Sequence, residues 1–431
     1  MPLSRYLKIW PCRTSPGYFI LYSTKKGSTL RLSAVLLEAA QNGAPQEDSL
    51  ALLRRHEIWV DALELERNSL LNIISSANDK AISFHTQLVL NLDCNLACPY
   101  CYEEQFRHKQ YMPQDVADLF VEKMITGKIN NGIDLVVDFY GGEPLLSLKL
   151  LINVATRLSE AAKRAGTKFS CYLFTNGTLL TRKVVIELLP LGLTGALITL
   201  DGPRQIHDRQ RPFVSGKGSF DTIVANVKEI CDLIDIEIGG NYNAAIYREF
   251  PALLDYLLAE GITPEKIKKV QFSPISEKSS PVSVSSRQGS CAVTCNRTMI
   301  DAVPFLRAET IKRGFNSFKP KPGACVVEFD NFLVVNFDGT LYKCPAFMGW
   351  PELSIGTLAD GVKDYSESHR LGDWQNDECM ECAYLPLCFG GCRLNPLLNN
   401  GSINELDCRR EFFDATLEKL ILQSLHMKTT I

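Results

Sequence analysis

Three cysteines stand in the string CNLACPYC, at Cys94, Cys98 and Cys101, and seven more crowd the C-terminal third, at Cys325, Cys344, Cys379, Cys382, Cys388, Cys392 and Cys408. Three thiolates can hold three irons of a cubane iron-sulfur cluster. No further cysteine follows Cys101 closely, so the fourth iron is left open to a small molecule that coordinates it. A cluster held by four cysteines only passes electrons. Zinc is the competing use of the C-terminal group, because pairs such as Cys379-x2-Cys382 with more cysteines downstream also build zinc sites. Either way, residues 325–408, rich in glycine and proline, need metal to hold them together. The chain has fifteen cysteines in all. Arg5 and Lys8 precede no uninterrupted apolar core or small-residue cleavage site, so the expected compartment is the cytoplasm, where thiols ligate metal more often than they pair. Cys12, Cys171 and Cys231 stand apart and read as buried thiols.

The elements that must position these thiolates follow from patterning. With 431 residues the chain is long enough for two or three units. A formal charge of -3 implies no nucleic-acid partner. The longest apolar stretch, Val184 to Leu200, is broken by Glu187, Pro190 and two glycines, which predicts no membrane span. From Thr86, buried-type strands alternate with amphipathic helices. Strands are predicted at Thr86 to Leu92, Leu135 to Tyr140, Phe169 to Thr175, Ala196 to Leu200, Ile236 to Asn243 and Lys269 to Ile275. Helices are predicted at Gln114 to Met124, Leu148 to Ala165, Arg182 to Leu189, Phe220 to Leu233, Phe250 to Ala259 and Ala302 to Arg313. Six such units predict an α/β fold, a partial (β/α)6 TIM barrel with its chemistry on the loops at the C-terminal strand ends. The three-cysteine string lies on the first of these loops.

Before the barrel, residues 1–80 read as a small winged-helix-like unit. Tyr18 to Tyr22 and Ser28 to Leu32 flank the turn Lys25-Lys26-Gly27, Ser33 caps a helix to about Gln41, Glu47 to Arg55 forms a second, and Ile58-Trp59-Val60 reads as a strand. Residues 81–314 carry the barrel and 315–431 the cysteine-rich region. The serine-rich segment Glu277 to Gly289 is a loop, and regular alternation ends after Phe315.

Gly141-Gly142-Glu143-Pro144 follows the second strand directly, where glycine permits close backbone approach. Together with CNLACPYC one βα unit earlier, this string resembles the radical S-adenosylmethionine (SAM) superfamily, over a span from Thr86 to the C-terminus. The resemblance implies that Cys94, Cys98 and Cys101 hold a [4Fe-4S] cluster whose open iron chelates the amino and carboxylate groups of SAM. It places Tyr100 beside the adenine and Gly141, Gly142, Glu143 and Pro144 at the methionine amino group. Phe174-Thr175-Asn176-Gly177-Thr178 and Thr199-Leu200-Asp201-Gly202-Pro203, with His207-Asp208 and Arg211, resemble further family segments. They offer Asn176, Thr199 and Arg211, with Asn241 and Gln271 similarly placed, as contacts to the cofactor. The plain alternative is that Asn176-Gly177 and Asp201-Gly202 are turn chemistry only.

The layout Gly339, Cys344, Cys379-x2-Cys382-x5-Cys388-x3-Cys392 resembles the SPASM extension of that superfamily, which implies two auxiliary [4Fe-4S] clusters and three in all. Cys379, Cys382, Cys388 and Cys408 would ligate one fully. Cys325, Cys344 and Cys392 would give three ligands to the other, the fourth being Cys291, Cys295 or a substrate thiolate. Such an enzyme cleaves SAM reductively, with a flavodoxin- or ferredoxin-type donor, and the 5'-deoxyadenosyl radical abstracts a substrate hydrogen. The N-terminal unit resembles elements that bind leader peptides as an added strand, which implies a ribosomally made precursor peptide as partner and a thioether or carbon-carbon crosslink as product. A unit that only caps the barrel is the bland alternative. Anaerobic sulfatase-maturing enzymes share barrel and cysteines, but there an aspartate follows the cysteine matching Cys344. Here Pro345 follows, and no replacement base is apparent in the sequence. A non-catalytic electron carrier or scaffold is the reading from another class, and the open three-cysteine site argues against it.

Overall fold

The computed structural model describes residues 3–101, 109–275 and 297–426. Cys291, Cys295 and the serine-rich segment lie outside the described residues. The N-terminal part is a meander of β1 (Leu7–Pro11), β2 (Tyr18–Ser23) and β3 (Ser28–Ser33), with β2 central, followed by α1 (Ala34–Gln41) and α2 (Glu47–Arg55). Ser33 accepts from the Leu36 amide as the α1 cap, as its position before the apolar run predicts. The expected strand at Ile58 to Val60 does not form. Ile58 and Trp59 are buried, but they meet the N-terminal residues through one bridge, Leu3 to Trp59, and the Ser4 amide donates to the Ile58 carbonyl. The strand that completes the sheet is β1, whose sequence LKIWP lacks alternation and ends in proline. Helices α3 (Leu63–Leu71) and α4 (Ile73–Asp79), also absent from the prediction, then lead to the main sheet.

That sheet has ten strands. Its parallel part runs β4 (Ser83–Val89), β5 (Asp134–Tyr140), β6 (Phe169–Thr175), β7 (Leu193–Thr199), β8 (Asp235–Tyr242) and β9 (Ile267–Pro274), each beside the next. The crossovers carry α5 (Gln114–Gly127), α6 (Leu148–Ala165), α7 (Arg182–Leu188), α8 (Arg204–Gln210), α9 (Phe220–Ile230) and α10 (Phe250–Ala259), and α11 (Arg297–Lys312) follows β9. One face is sealed: Leu88, Leu135, Val137, Phe139, Leu173, Ile198 and Ile236 join helix residues such as Phe120, Leu151, Leu158, Val227 and Leu254 in a single core. By the strand period, the alternate residues Gln87, Val89, Asp138, Tyr140, Tyr172, Phe174, Thr199 and Asn241 face the other, inner side.

The prediction of six parallel strands falls one short. β10 (Phe332–Val335) comes from the cysteine-rich region and pairs parallel with β4, Val334 opposite Gln87. It extends the sheet antiparallel through β11 (Thr340–Tyr342), β12 (Gly356–Thr357) and β13 (Gly361–Val362). The apolar run FLVV is four residues long and sits among cysteine and glycine signals, so its pairing to a strand some 250 positions earlier is a tertiary choice that local pattern does not encode. Short helices α12 (Asp377–Met380, with Cys379), α13 (Leu385–Cys388) and α14 (Leu394–Asn400) follow, with Cys382, Cys392 and Cys408 on the connections, and then α15 (Arg410–His426). α15 packs against the N-terminal sheet: Leu417 and Ile421 meet Ile20, Tyr22 and Cys12 in one cluster. Arg307 of α11 ties it to the main sheet, donating to the Leu420 carbonyl, Gln423 and Ser424. No helix among the described residues is long and apolar enough to cross a membrane.

Candidate active site

Strand β4 stops at Val89 rather than Leu92, and the residues gained by the loop anchor the first cysteines. Asn91, fully buried, donates its amide to the Glu143 carbonyl and to Ser147. The Gly142 and Glu143 amides in turn donate to the carbonyls of Asn91 and Asp93. This back-to-back packing requires both glycines. A Cβ on Gly141 would stand 2.3 Å from the Asn91 oxygen, and one on Gly142 would stand 2.3 Å from the Asp93 oxygen. The GGEP string is thus the surface on which the cysteine loop is seated. Downstream, Ala97 donates to the Pro212 carbonyl and Val214 to that of Asn95, so the loop is held from the β7 side as well.

Glu143 is fully buried. Its carboxylate accepts from the amides of Leu145 (3.0 Å) and Asn176 (2.8 Å) and from the Thr175 hydroxyl (2.9 Å). Burial raises its pKa while these donors pull it back. Its side chain therefore splices the ends of β5 and β6, and what it leaves exposed to a ligand is backbone. Asn176 reaches the cysteine loop directly, donating to Asn95 (2.8 Å) and lying 3.7 Å from the Cys94 sulfur.

Opposite, four polar side chains converge. The Tyr100 hydroxyl donates to Asp201 and accepts from Arg211 (2.8 Å) and Asn241 (3.2 Å), while the Asn241 amide donates to Asp201 (2.6 Å). Burial pushes the Asp201 carboxyl up, and the Arg211 guanidinium opposes it. Burial disfavours the Arg211 charge too, but a Cys98 thiolate, the Tyr100 oxygen and the Asp201 carboxylate outweigh it and hold the guanidinium ionised. Arg211 Nε is buried with no partner among the described residues. Its backbone is fixed by a relay in which the Asp201 amide donates to His207 Nδ1, His207 Nε2 meets Ser219, and the Ser219 hydroxyl donates to the Arg211 carbonyl. Burial lowers His207 to about 3, so the ring is neutral; with Nδ1 accepting, its proton is on Nε2.

The structure brings Tyr100, Arg211 and Asn241 together with Cys98, and Asn176 and the GGEP string together with Cys94. Thr199 and Gln271 sit at one level of the inner face through Gly239, half-buried and exposed respectively, and neither side chain makes a hydrogen bond among the described residues. Asp201 is the residue that sequence reasoning undervalued. As part of Asp-Gly it looks like turn chemistry, and nothing local signals a buried acceptor for Tyr100.

In the C-terminal third, Cys379, Cys382, Cys388 and Cys408 line one cavity of about 310 Å³ together with Arg409 and Arg410. Cys325, Cys344 and Cys392 pack instead against an apolar cluster of Val89, Leu92, Val334, Phe347 and Trp350, with Tyr140 beside them. The two groups are tied through Asp407, which accepts from the Cys392 amide (3.0 Å) and precedes Cys408. A buried ion pair, Arg393 to Glu328 at 2.5 Å, stands next to Cys392 and three residues past Cys325. Among the described residues no three His, Cys, Asp or Glu side chains converge on a single-ion site. A cubane spreads its thiolates over separate irons and does not require such convergence. Cys12, Cys171 and Cys231 are buried, as expected.

Residues 89–243, from the end of β4 to just past β8, match the model of the radical SAM superfamily. These residues form a radical SAM domain. The chain is an enzyme, and its radical SAM domain implies a [4Fe-4S] cluster and SAM. Among curated proteins it is similar to the serine-type anaerobic sulfatase-maturating enzyme of Bacteroides thetaiotaomicron, 25% identical over 341 residues, covering 70% of this chain and 80% of the relative. Among solved structures, native anSMEcpe with bound AdoMet superposes with a TM-score of 0.60 at 19% identity over 80% of this chain and 100% of that one. Streptococcus suis SuiB bound to precursor peptide SuiA gives 0.54 at 15% identity over 94% of this chain and 98% of that one. These two likenesses show a shared fold, an α/β radical SAM architecture with a large parallel sheet.

Proposed function

We propose that this radical SAM enzyme is a peptide maturase that installs a thioether or carbon-carbon crosslink in a ribosomally made precursor. Residues 1–80 would recognise the leader, 81–314 form the radical SAM barrel, and 315–431 form a SPASM domain. The observation that carries the reading is the N-terminal meander and where it is docked. β1 covers one side of β2, which leaves β3 as an edge strand that pairs with β2 alone, and an extended peptide can add to such an edge. The same unit is bonded to the cysteine loop: the Tyr6 hydroxyl donates to the Met380 carbonyl and the Thr24 hydroxyl to that of Ala383. A peptide added to β3 would lie on a unit that is bonded to the segment carrying Cys379 and Cys382. SuiB, whose structure with a precursor peptide spans 94% of this chain, supports the same assignment.

When bound, the SAM-chelating cluster and its cofactor supply the 5'-deoxyadenosyl radical that abstracts a substrate hydrogen. Cys94, Cys98 and Cys101 would hold that cluster. The backbone of Gly141 to Pro144 would receive the methionine moiety, and Tyr100, Arg211 and Asn241 would orient the nucleoside side, with Asn176, Thr199 and Gln271 on the rim. Cys379, Cys382, Cys388 and Cys408 would hold one auxiliary cluster, for which their shared cavity is the supporting observation. Cys325, Cys344 and Cys392 would hold the other, beside Tyr140 at the inner face, with Cys291, Cys295 or a substrate thiolate completing it. A flavodoxin- or ferredoxin-type protein would deliver the electron.

The sulfatase-maturing alternative is favoured by the Bacteroides relative. Against it stands Pro345, which opens a short turn Pro345–Phe347 after Cys344 and offers no acid-base group where those enzymes carry an aspartate. The deciding experiment is anaerobic incubation of the reconstituted enzyme with a candidate precursor encoded beside its gene and, separately, with a sulfatase-derived cysteine or serine peptide. The crosslink reading expects loss of two hydrogens from the precursor with its cysteines or ring carbons joined. Formylglycine in the sulfatase peptide, with the precursor unchanged, would replace it.

A further inference from the structure

The inner face of the sheet holds an acid that the cofactor site does not use. Gln87, Asp138 and Tyr172 lie side by side in register on β4, β5 and β6, about 10 Å along the strand below the GGEP turn. Gln87 is 6% exposed and its amide oxygen has no partner among the described residues; the Tyr172 hydroxyl is likewise buried and unpartnered. Asp138 makes no hydrogen bond or ion pair among those residues, and burial alone pushes its carboxyl up to about 6, with no cation near enough to pull it back. Beside it, Tyr140 and Tyr172 each pack edge-on against Phe174, with 5.7 Å between ring centroids in both contacts. Gly195 keeps that space open, since a Cβ there would come within 2.8 Å of the Tyr172 ring.

Other acids border this face: Glu237 on β8, opposite Lys269 on β9, and Asp235 both act electrostatically on the Tyr172 hydroxyl and add to the negative field there. His85, two residues before Gln87, is biased toward its neutral form by burial. The half-buried Asp138 carboxylate has no counter-charge among the described residues, and such a group is destabilising unless a ligand completes it. A carboxylate, an amide oxygen, a phenol and aromatic faces all favour a cation rich in N–H donors.

We propose that Gln87, Asp138 and Tyr172, walled by Phe174 and Tyr140, form a subsite that takes an ammonium or guanidinium side chain of the substrate. The assignment of that side chain to a peptide rests on the function proposed above. The test is calorimetry on the reconstituted full chain with n-butylammonium and methylguanidinium as probes and n-butanol as the neutral control. Wild type should bind at least one of the cations at least tenfold more tightly than butanol. Asp138→Asn should lose that preference at least tenfold, Asp138→Glu should retain it in part, and Glu122→Gln, exposed on α5, should leave it in place. Thermal melts of each variant report folding. Equal cation binding by folded wild type and Asp138→Asn, or no preference in wild type, would overturn the subsite. No peptide enters this assay, so probe binding with an unmodified precursor counts against the maturase reading alone. A crosslinked precursor without probe binding counts against the subsite alone.

Discussion

At the scale of single residues, the proposed cofactor site is built on backbone contacts at Gly141 and Gly142 that leave no room for a methyl group. Gly142→Ala would drive a Cβ into the Asp93 carbonyl and so displace the loop carrying Cys94. We expect SAM binding to weaken at least tenfold while the fold survives, measured by equilibrium dialysis on reconstituted protein beside its melting temperature. Asp138 makes a pH-dependent prediction. Its folded pKa, raised to about 6 by burial, lies above the unfolded value, so the folded state holds a proton that the unfolded chain has released. Wild-type stability should therefore fall relative to Asp138→Asn as pH rises from 4 to above 6, by about 2–3 kcal/mol. Urea titrations at pH 4 and 7.5 check it, and a constant gap would contradict it. Cysteines and the GGEP string were legible in sequence because their chemistry is local. Asp201 and Asp138 were not, because their significance lies in burial and in partners present or missing across the sheet.

At the scale of elements, the βα alternation was legible throughout the barrel. β6, α6 and α10 begin and end where predicted, since strong period-2 and period-3.6 patterns with clear caps mark them. β1 escaped prediction because LKIWP lacks a clear strand alternation although its partner β2 is next in sequence, and β10 because it finds β4 from the far end of the chain. The contact between α15 and the N-terminal sheet is long-range in the same way as β10. Leu417, with no exposed surface, is central to it. Leu417→Ala should destabilise the protein by about 2–5 kcal/mol. On the proposed function, it should also weaken crosslinking of a full precursor more than uncoupled SAM cleavage. Equal loss of both activities would make the interface merely structural.

At the scale of the whole molecule, the chain forms one continuous structure. The cysteine-rich third lends four strands to the main sheet, and its last helix seats the N-terminal unit. Two cysteine groups, one lining a cavity and one against the inner-face cluster, are joined through Asp407. If both carry clusters, Cys379→Ala with Cys382→Ala should lower iron from about twelve to about eight per chain and leave SAM-cluster absorption intact. The measurement that bears most directly on the central claim is anaerobic reconstitution followed by iron analysis and mass spectrometry of 5'-deoxyadenosine after dithionite and SAM. About twelve irons per chain with cofactor cleavage, and cleavage abolished by Cys98→Ala with Cys101→Ala, is the predicted result. Zinc in place of iron in the C-terminal third, or no cleavage with the first site filled, would contradict it.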